Sequence, residues 1–205
     1  MEAPCASTLF VMPRTKLFNE EDVLQKAMEL FWKKGYAATS VQDLVQALGI
    51  NRASLYTTFG DKEQLFQKAF DLYRATNIAG LKRFFSHEPN VKQGFQKLFA
   101  MALANGASDA DRKGCFVVNT TTELMPHDTT MRGILKKNQE LFTGLFKDYL
   151  EMGEEKGQFA RGKDLQALAS LLFLIYNGIK VVTMTDPDTQ QLLRSVKEVL
   201  SLLDE

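Results

Sequence analysis

The segment from Phe18 to Leu65 reads FNEEDVLQKAMELFWKKGYAATSVQDLVQALGINRASLYTTFGDKEQL, and its start and stop signals decide the fold. In a capping box, a short polar side chain satisfies the free N–H groups of a helix's first turn, and a carboxylate or amide three residues on reaches back. Asn19 with Asp22, Ser40 with Asp43, and Asp61 with Gln64 have this spacing. Phe18 to Val23 and Ile50 to Leu55 add hydrophobic staples, the second bracketing Asn51 as the capping residue. The stops alternate with the starts. Gly35 follows the basic pair Lys33 and Lys34, and Gly49 closes the segment begun at Ser40, each placed as a glycine just past a helix end. Helices are therefore predicted over 20–34, 41–48 and 52–58. The second and third are joined by Gly49-Ile50-Asn51, a short turn of the helix-turn-helix kind.

A helical period turns Leu55 and Phe59 to one side of the third helix, toward the first two helices. Ala53 and Thr57 point the opposite way, flanked by Ser54 and Tyr56 and preceded by Arg52. Such a face suits a DNA major groove. Arginine can take a guanine edge bidentately, the methyls of Ala53 and Thr57 can meet a thymine methyl, and hydroxyls serve phosphates.

Ala27, Leu30, Phe31, Gly35, Tyr36, Thr39, Ser40, Val41, Gly49, Leu55, Tyr56, Phe59, Lys62, Glu63 and Leu65 stand where the TetR family of transcriptional regulators carries its N-terminal signature. The chain resembles that family over about a quarter of its length, and the layout of the remainder is also what the resemblance implies. It implies an all-α fold of about nine helices, with a helix-turn-helix head over 14–62 and a ligand-binding and dimerisation domain over 63–205. It further implies phosphate contacts through Thr39, Tyr56 and Lys62 and base contacts from the third helix, so that Thr39, Ser40, Arg52, Ala53, Ser54, Tyr56, Thr57, Thr58 and Lys62 form the DNA-binding set. Ala53 stands where many members have glycine, and Thr57-Thr58 where they often have an aromatic residue and a histidine. The operator sequence does not carry over. A plainer reading makes the caps and glycines the furniture of a helical bundle, and Leu30, Phe31, Leu44, Leu55 and Phe59 are core on either reading.

Composition narrows the partners. Lys plus Arg and Asp plus Glu both number 25 in 205 residues, a formal charge of zero. A non-specific polyanion binder would be basic overall, whereas a sequence-specific dimer needs its positive groups only near the head. Arg14, Lys16, Lys33, Lys34, Arg52 and Lys62 all lie there. Cys5 and Cys115 are far apart with no histidine at ligand spacing, which argues against a disulfide framework or a zinc site. Cys115 opens an apolar run, where a small buried thiol is expected. His87 and His127 are read into loops, no catalytic constellation emerges, and no cofactor is expected. No secretory signal is visible, and the longest uncharged stretch, 165–179, falls short of the ~20 residues that span a bilayer. A cytoplasmic protein without a membrane partner is expected.

Residues 1–13 lack periodicity and read as a disordered lead, followed by a basic arm at Arg14 and Lys16. After the head, helices are predicted over 62–85, from 91 to about 105, and over 129–156, with 106–113 as a loop. The run from Gly114 to a stop at Pro126 is rich in mediocre helix formers, and its resemblance to the GCxxxNT segment of one branch of the same family implies a helix rather than a strand. The last two differ in kind. The helix over 165–184 is apolar almost all round, whereas that over 189–203 has a single apolar stripe, and Asp186-Pro187-Asp188 turns between them. So much apolar surface predicts a homodimer closed by a four-helix bundle, its interface drawn from Leu168, Leu172, Tyr176, Leu192, Val196 and Val199.

Between head and hairpin the chain is rich in aromatic residues, as a pocket for a small apolar or amphipathic effector would be. The candidate lining is Phe70, Tyr73, Phe95, Phe99, Asn119, Glu123, Phe142, Phe146 and Tyr176, although any helical core needs rings at such spacing. The leading expectation is a homodimeric repressor released by an effector from a two-fold symmetric double-stranded operator. The alternative is a helix-turn-helix regulator controlled by a protein partner or by no ligand.

Overall fold

The computed structural model describes residues 18–185 and 188–204. The lead 1–13, the arm at Arg14 and Lys16, Cys5 and the turn at Asp186-Pro187 lie outside the described residues. Within them the chain forms nine α-helices and no strand, an all-α fold as predicted.

The head comprises α1 (Glu20–Lys34), α2 (Val41–Leu48) and α3 (Arg52–Phe59). Gly35 and Gly49 end α1 and α2 with φ of 83° and 67°, conformations that a Cβ disfavours. Of the three predicted capping boxes only the second is reciprocal. Ser40 Oγ accepts from Asp43 N at 3.0 Å and Asp43 returns by accepting from Ser40 N at 2.8 Å. Asn19 accepts from Glu21 N and Asp22 N without a return bond, and Asp61 accepts from Gln64 N. Gln64 cannot reach back because its amide lies over Gly60, where a Cβ would come within 1.7 Å of Gln64 Oε1.

Helix α4 (Lys62–His87) is 26 residues and so about 39 Å long. Its first half buries Leu65, Phe66, Ala69, Phe70 and Tyr73 in one apolar cluster with Phe31, Leu44 and Leu55 of the head and Phe116 from further along the chain. Its last turns carry Leu81 and Phe85 into a second cluster. One rigid rod thus belongs to both cores. Each fully buried ring, such as Phe31 or Phe66, stabilises the fold by about 1.5 to 3 kcal/mol.

The remaining helices are α5 (Val91–Ser108), α6 (Phe116–Leu124), α7 (Thr129–Glu155), α8 (Leu165–Val182), with a 3-10 turn at Thr183–Thr185, and α9 (Thr189–Ser201). Helix α6 tolerates its β-branched run because the hydroxyls of Thr121 and Thr122 bond to carbonyls one turn back, Val117 O at 2.7 Å and Asn119 O at 2.9 Å. Two local expectations are corrected. His87 is the last residue of α4 and its ring Nδ1 lies 2.7 Å from Arg83 O, so it is not in a loop. Helix α5 runs through Gly106 to Ser108. Gly106 is there for closeness, since a Cβ would lie 2.3 Å from Thr183 Oγ1.

Part of the interface expected on the C-terminal hairpin lies inside the protomer. Leu172 and Val196 are buried in their own chain's core, and Leu168, Tyr176, Leu192 and Val199 pack against that core. The strongest periodic stripe turned inward. What remains outward on α8 is a second apolar face with Leu174 64% and Val181 46% exposed. Residues Leu165–Thr185 form a 21-residue helical stretch with mean hydropathy 1.7, long and apolar enough to cross a bilayer by length and composition. The count from sequence fell short because it stopped before Lys180.

Candidate nucleic-acid interface and adjoining cavity

Helix α3 is held from three sides. Asn51 Oδ1 caps it by accepting from Ser54 N at 2.8 Å, Leu55 and Phe59 are buried in the head, and Lys68 Nζ donates to Phe59 O at 3.2 Å. That ammonium meets the helix's negative end and ties it to α4. Outward, Arg52, Ala53, Tyr56 and Thr57 are exposed, while Ser54 and Thr58 are half-buried. This is the face that the helical period predicts. Arg52 Nη2 donates to Tyr56 Oη at 3.3 Å, and its guanidinium carbon lies 5.6 Å from that ring's centroid.

Two members of the predicted set have other work. Thr39 is fully buried and donates its hydroxyl to Gly35 O at 2.6 Å, so it shapes the α1–α2 turn and has no surface to offer phosphate. Ser40 is exposed but committed to Asp43, which also pairs with Lys34 at 2.7 Å. The Lys34 ammonium and the Ser40 hydroxyl and N–H hold the Asp43 carboxyl well below the usual carboxylate range. Lys62 Nζ sits 4.3 Å from the Tyr36 ring centroid, a cation on an aromatic face. The Tyr36 hydroxyl is raised by burial first and then by Glu63, Asp61 and Asp128.

Above the head lies a cavity of about 480 Å³. Its walls come from α1 (Gln25, Met28, Trp32), α4 (Tyr73, Thr76, Asn77), α5 (Leu98, Met101, Ala102, Asn105) and α8 (Tyr176, Lys180), closed by Lys113, Gly114 and Cys115 before α6. Tyr73 and Tyr176 are the two predicted lining residues found here. Phe142 borders a narrow crevice beside it, shared with Arg74, Asn138 and Asn177. The other predicted rings fill cores: Phe70 packs between Phe66 and Phe116, and Phe95, Phe99 and Phe146 lie in the second cluster. Close packing leaves them no free face. Asn119 donates to Lys113 O at 2.7 Å, which fixes the chain before α6.

Glu123 is also redirected. Its two oxygens accept from Tyr36 N at 3.0 Å and Ala37 N at 2.7 Å, binding the end of α6 to the turn ahead of α2. A cost expected for a carboxylate in an apolar run is met by two backbone donors of the head. Trp32 Nε1 donates to Gly114 O at 3.2 Å, so α6 is tied to α1 at its start too. Sequence reasoning missed Trp32, Asn77, Lys113 and Lys180 as cavity groups, and treated Cys115 only as a buried thiol. Lys180 had a signal of its own, as the first charge after fifteen uncharged helical residues, 165–179.

Residues 23–69 match the bacterial regulatory proteins of the tetR family, and residues 93–199 match the tetracyclin repressor-like C-terminal domain. The chain is 31% identical to the HTH-type transcriptional repressor ComR of Escherichia coli K12 over 94% of its own length and 92% of that protein's. It is 30% identical to YezE of Bacillus subtilis, an uncharacterized HTH-type transcriptional regulator, over 94% of this chain and all of that one. In structure it is similar to the regulator CifR, solved with 26-bp double-strand operator DNA, at a TM-score of 0.83, 27% identity, and coverage of 93% of this chain and 100% of that one. With its helix-turn-helix head matched and its helical C-terminal domain matched in turn, the chain belongs to the TetR family of transcriptional regulators, and it is a DNA-binding regulator rather than an enzyme.

Proposed function

We propose that this regulator is a homodimeric repressor that leaves a two-fold symmetric operator when a small apolar or amphipathic molecule fills the cavity. The observation that carries the reading is the double duty of α4. Its N-terminal turns hold the DNA-facing helix, through Lys68 on Phe59 O, and two turns later Tyr73, Thr76 and Asn77 form the cavity wall. A ligand that prefers one tilt of α4 changes the attitude of the head, and only that preference counts, because equal affinity for both tilts shifts nothing. On the DNA, Arg52, Ala53, Tyr56 and Thr57 read or brace the major groove and Lys62 serves phosphate.

The dimer forms through the outward face of α8, Leu171, Leu174, Gly178 and Val181, continued by α9. That surface accounts for the apolar length of 165–185 without a bilayer, since the other side of α8 packs on α5 and α7. The protein is read as cytoplasmic. A second reading, control by a protein partner, is favoured by an apolar groove between α4 and α7 lined by Ile78, Leu141 and Leu145, with Leu141 50% exposed.

DNA selected from a random pool tests the first half: inverted half-sites centred about 34 to 36 Å apart support a symmetric dimer, and a single unrepeated site overturns it. A thermal-shift screen followed by operator titration tests the second, since a ligand stabilises by mass action. Identical operator curves at saturating ligand overturn release by the cavity.

A further inference from the structure

The cavity has two parts of different chemistry. Met28, Trp32, Leu98 and Met101 make one part of its wall apolar, and Gln25 and Asn105 form an exposed rim. In the other part the Lys180 ammonium is deeply buried, although the residue as a whole is half-buried. Its neighbours are weak ones for a cation: Cys115 Sγ at 3.7 Å and the Tyr176 ring, whose centroid lies 4.0 Å away. Among the described residues no carboxylate pairs with it, since Asp109, the acidic residue on the wall, accepts from Lys113 N at 2.6 Å. Burial opposes the charge on Lys180, but the Cys115 sulfur and the Tyr176 hydroxyl outweigh it and raise the ammonium above the ordinary lysine range, so the group is cationic at neutral pH. A buried ammonium without a counter-ion is costly, and a bound anion removes that cost. Two further features beside it favour negative charge. Tyr73 Oη is a hydroxyl donor 3.7 Å from the same sulfur, and Cys115 is the N-cap of α6 with no capping bond from its side chain, which leaves the positive end of that helix nearby. The charged residues of the lining are Lys113, Lys180 and Asp109, a net of one positive charge. A monoanion balances it, and a dianion such as a phosphate monoester overshoots.

We propose that the cavity selects amphipathic monocarboxylates, bound without covalent chemistry, with the carboxylate on Lys180 and the hydrocarbon part among Met28, Trp32, Leu98 and Met101. Lys180 Nζ and the Tyr73 hydroxyl donate to the carboxylate oxygens, and the apolar part of the wall takes the chain from water. The volume of about 480 Å³ is that of a small-molecule pocket, mostly apolar with a few placed polar groups. A neutral amide of the same length fills the same space and leaves the ammonium without its counter-ion. The regulatory consequence rests on the function proposed above, whose effector class it names: the carboxylate joins α8 at Lys180 to α4 at Tyr73, and α4 holds the DNA-facing helix through Lys68.

The probes are straight-chain saturated carboxylates from pentanoate to decanoate, each paired with its primary amide and titrated calorimetrically into the full chain without DNA. At neutral pH at least one chain length should bind about tenfold or more tightly as the carboxylate than as the amide, the difference that a charge-assisted hydrogen bond makes. Lys180→Met and Lys180→Gln should each erase that preference while amide binding and helical circular dichroism persist, because replacing an unpaired buried charge does not cost the fold. Lys180→Arg should keep the preference. The proposal is overturned if no carboxylate of the series binds at millimolar concentration, if acid and amide bind equally, or if the preference survives Lys180→Met and Lys180→Gln. Operator titration at saturating carboxylate is read separately. Loss of operator affinity supports control through the cavity, and unchanged affinity overturns that control while the ligand class stands.

Discussion

In the free protein Arg52 lies along Tyr56, so a guanine must draw the guanidinium off that ring before it is read. Arg52→Ala should therefore cost about 1 to 3 kcal/mol on the preferred operator and relax one position per half-site, whereas Lys62→Ala should weaken all sequences alike and flatten the salt dependence. Anisotropy titrations on matched and scrambled duplexes separate the two, and equal loss on both duplexes for Arg52→Ala would make it a phosphate contact. Asp43 gives a pH test. Its folded-state pKa is depressed by Lys34 and Ser40, so its contribution is present at neutral pH and is lost as acid protonates it, from about pH 4 downward. The Tm gap between wild type and Asp43→Asn should close as pH falls through that range. Caps of this kind were legible because they are local, one side chain and one turn. Glu123 was not, since its partners are backbone groups brought near by folding, in the turn at Tyr36, 87 residues away; Thr39 has a local partner in Gly35 O, four residues back, but its burial depends on the packing of the whole head.

At the scale of helices, boundaries were readable wherever Gly, Pro or a cap stood between periodic runs, and misread where a glycine serves contact instead of termination. Gly106 is such a case. Its hydrogen faces Thr183, and Gly106→Val should cost about 1 to 3 kcal/mol by overpacking, measured by denaturant unfolding, because the methyls meet the start of the 3-10 turn. A melting curve unchanged in that variant would mean the two segments separate freely. Helix α6 is the element whose importance periodicity hid, being only nine residues of mediocre helix formers. It touches the cavity at one end and the head at the other. Glu123→Ala removes two charge-assisted bonds to the head, worth about 1 to 3 kcal/mol together once solvent exposure is allowed for. It should reduce the effect of an effector on operator affinity more than it changes affinity in the effector's absence.

For the whole molecule, the periodicity of α8 and α9 announced an excess of apolar surface without saying which part its own chain would claim. A pattern weights residues by hydrophobicity alone, and the most regular stripe, through Leu172 and Val196, went to the internal core. The stripe left over, through Leu174, Gly178 and Val181, has the small residue that lets two helices approach closely. The two stripes make opposite predictions under the same substitution. Leu172→Glu buries a charge inside the protomer and should unfold it, since an unpaired buried carboxylate is strongly destabilising. Leu174→Glu with Val181→Glu should leave each protomer folded, with normal helical circular dichroism, yet sediment as a monomer at micromolar concentration. That monomer should bind a single half-site weakly and lose the full operator's affinity, because two heads must be linked to occupy both half-sites at once. If the double variant remains dimeric, the copies meet elsewhere and the outward face of α8 has another occupant. If it becomes monomeric but binds the full operator as wild type does, the two heads act independently, and a cavity ligand could then release DNA only through the tilt of one head and never through the spacing between them.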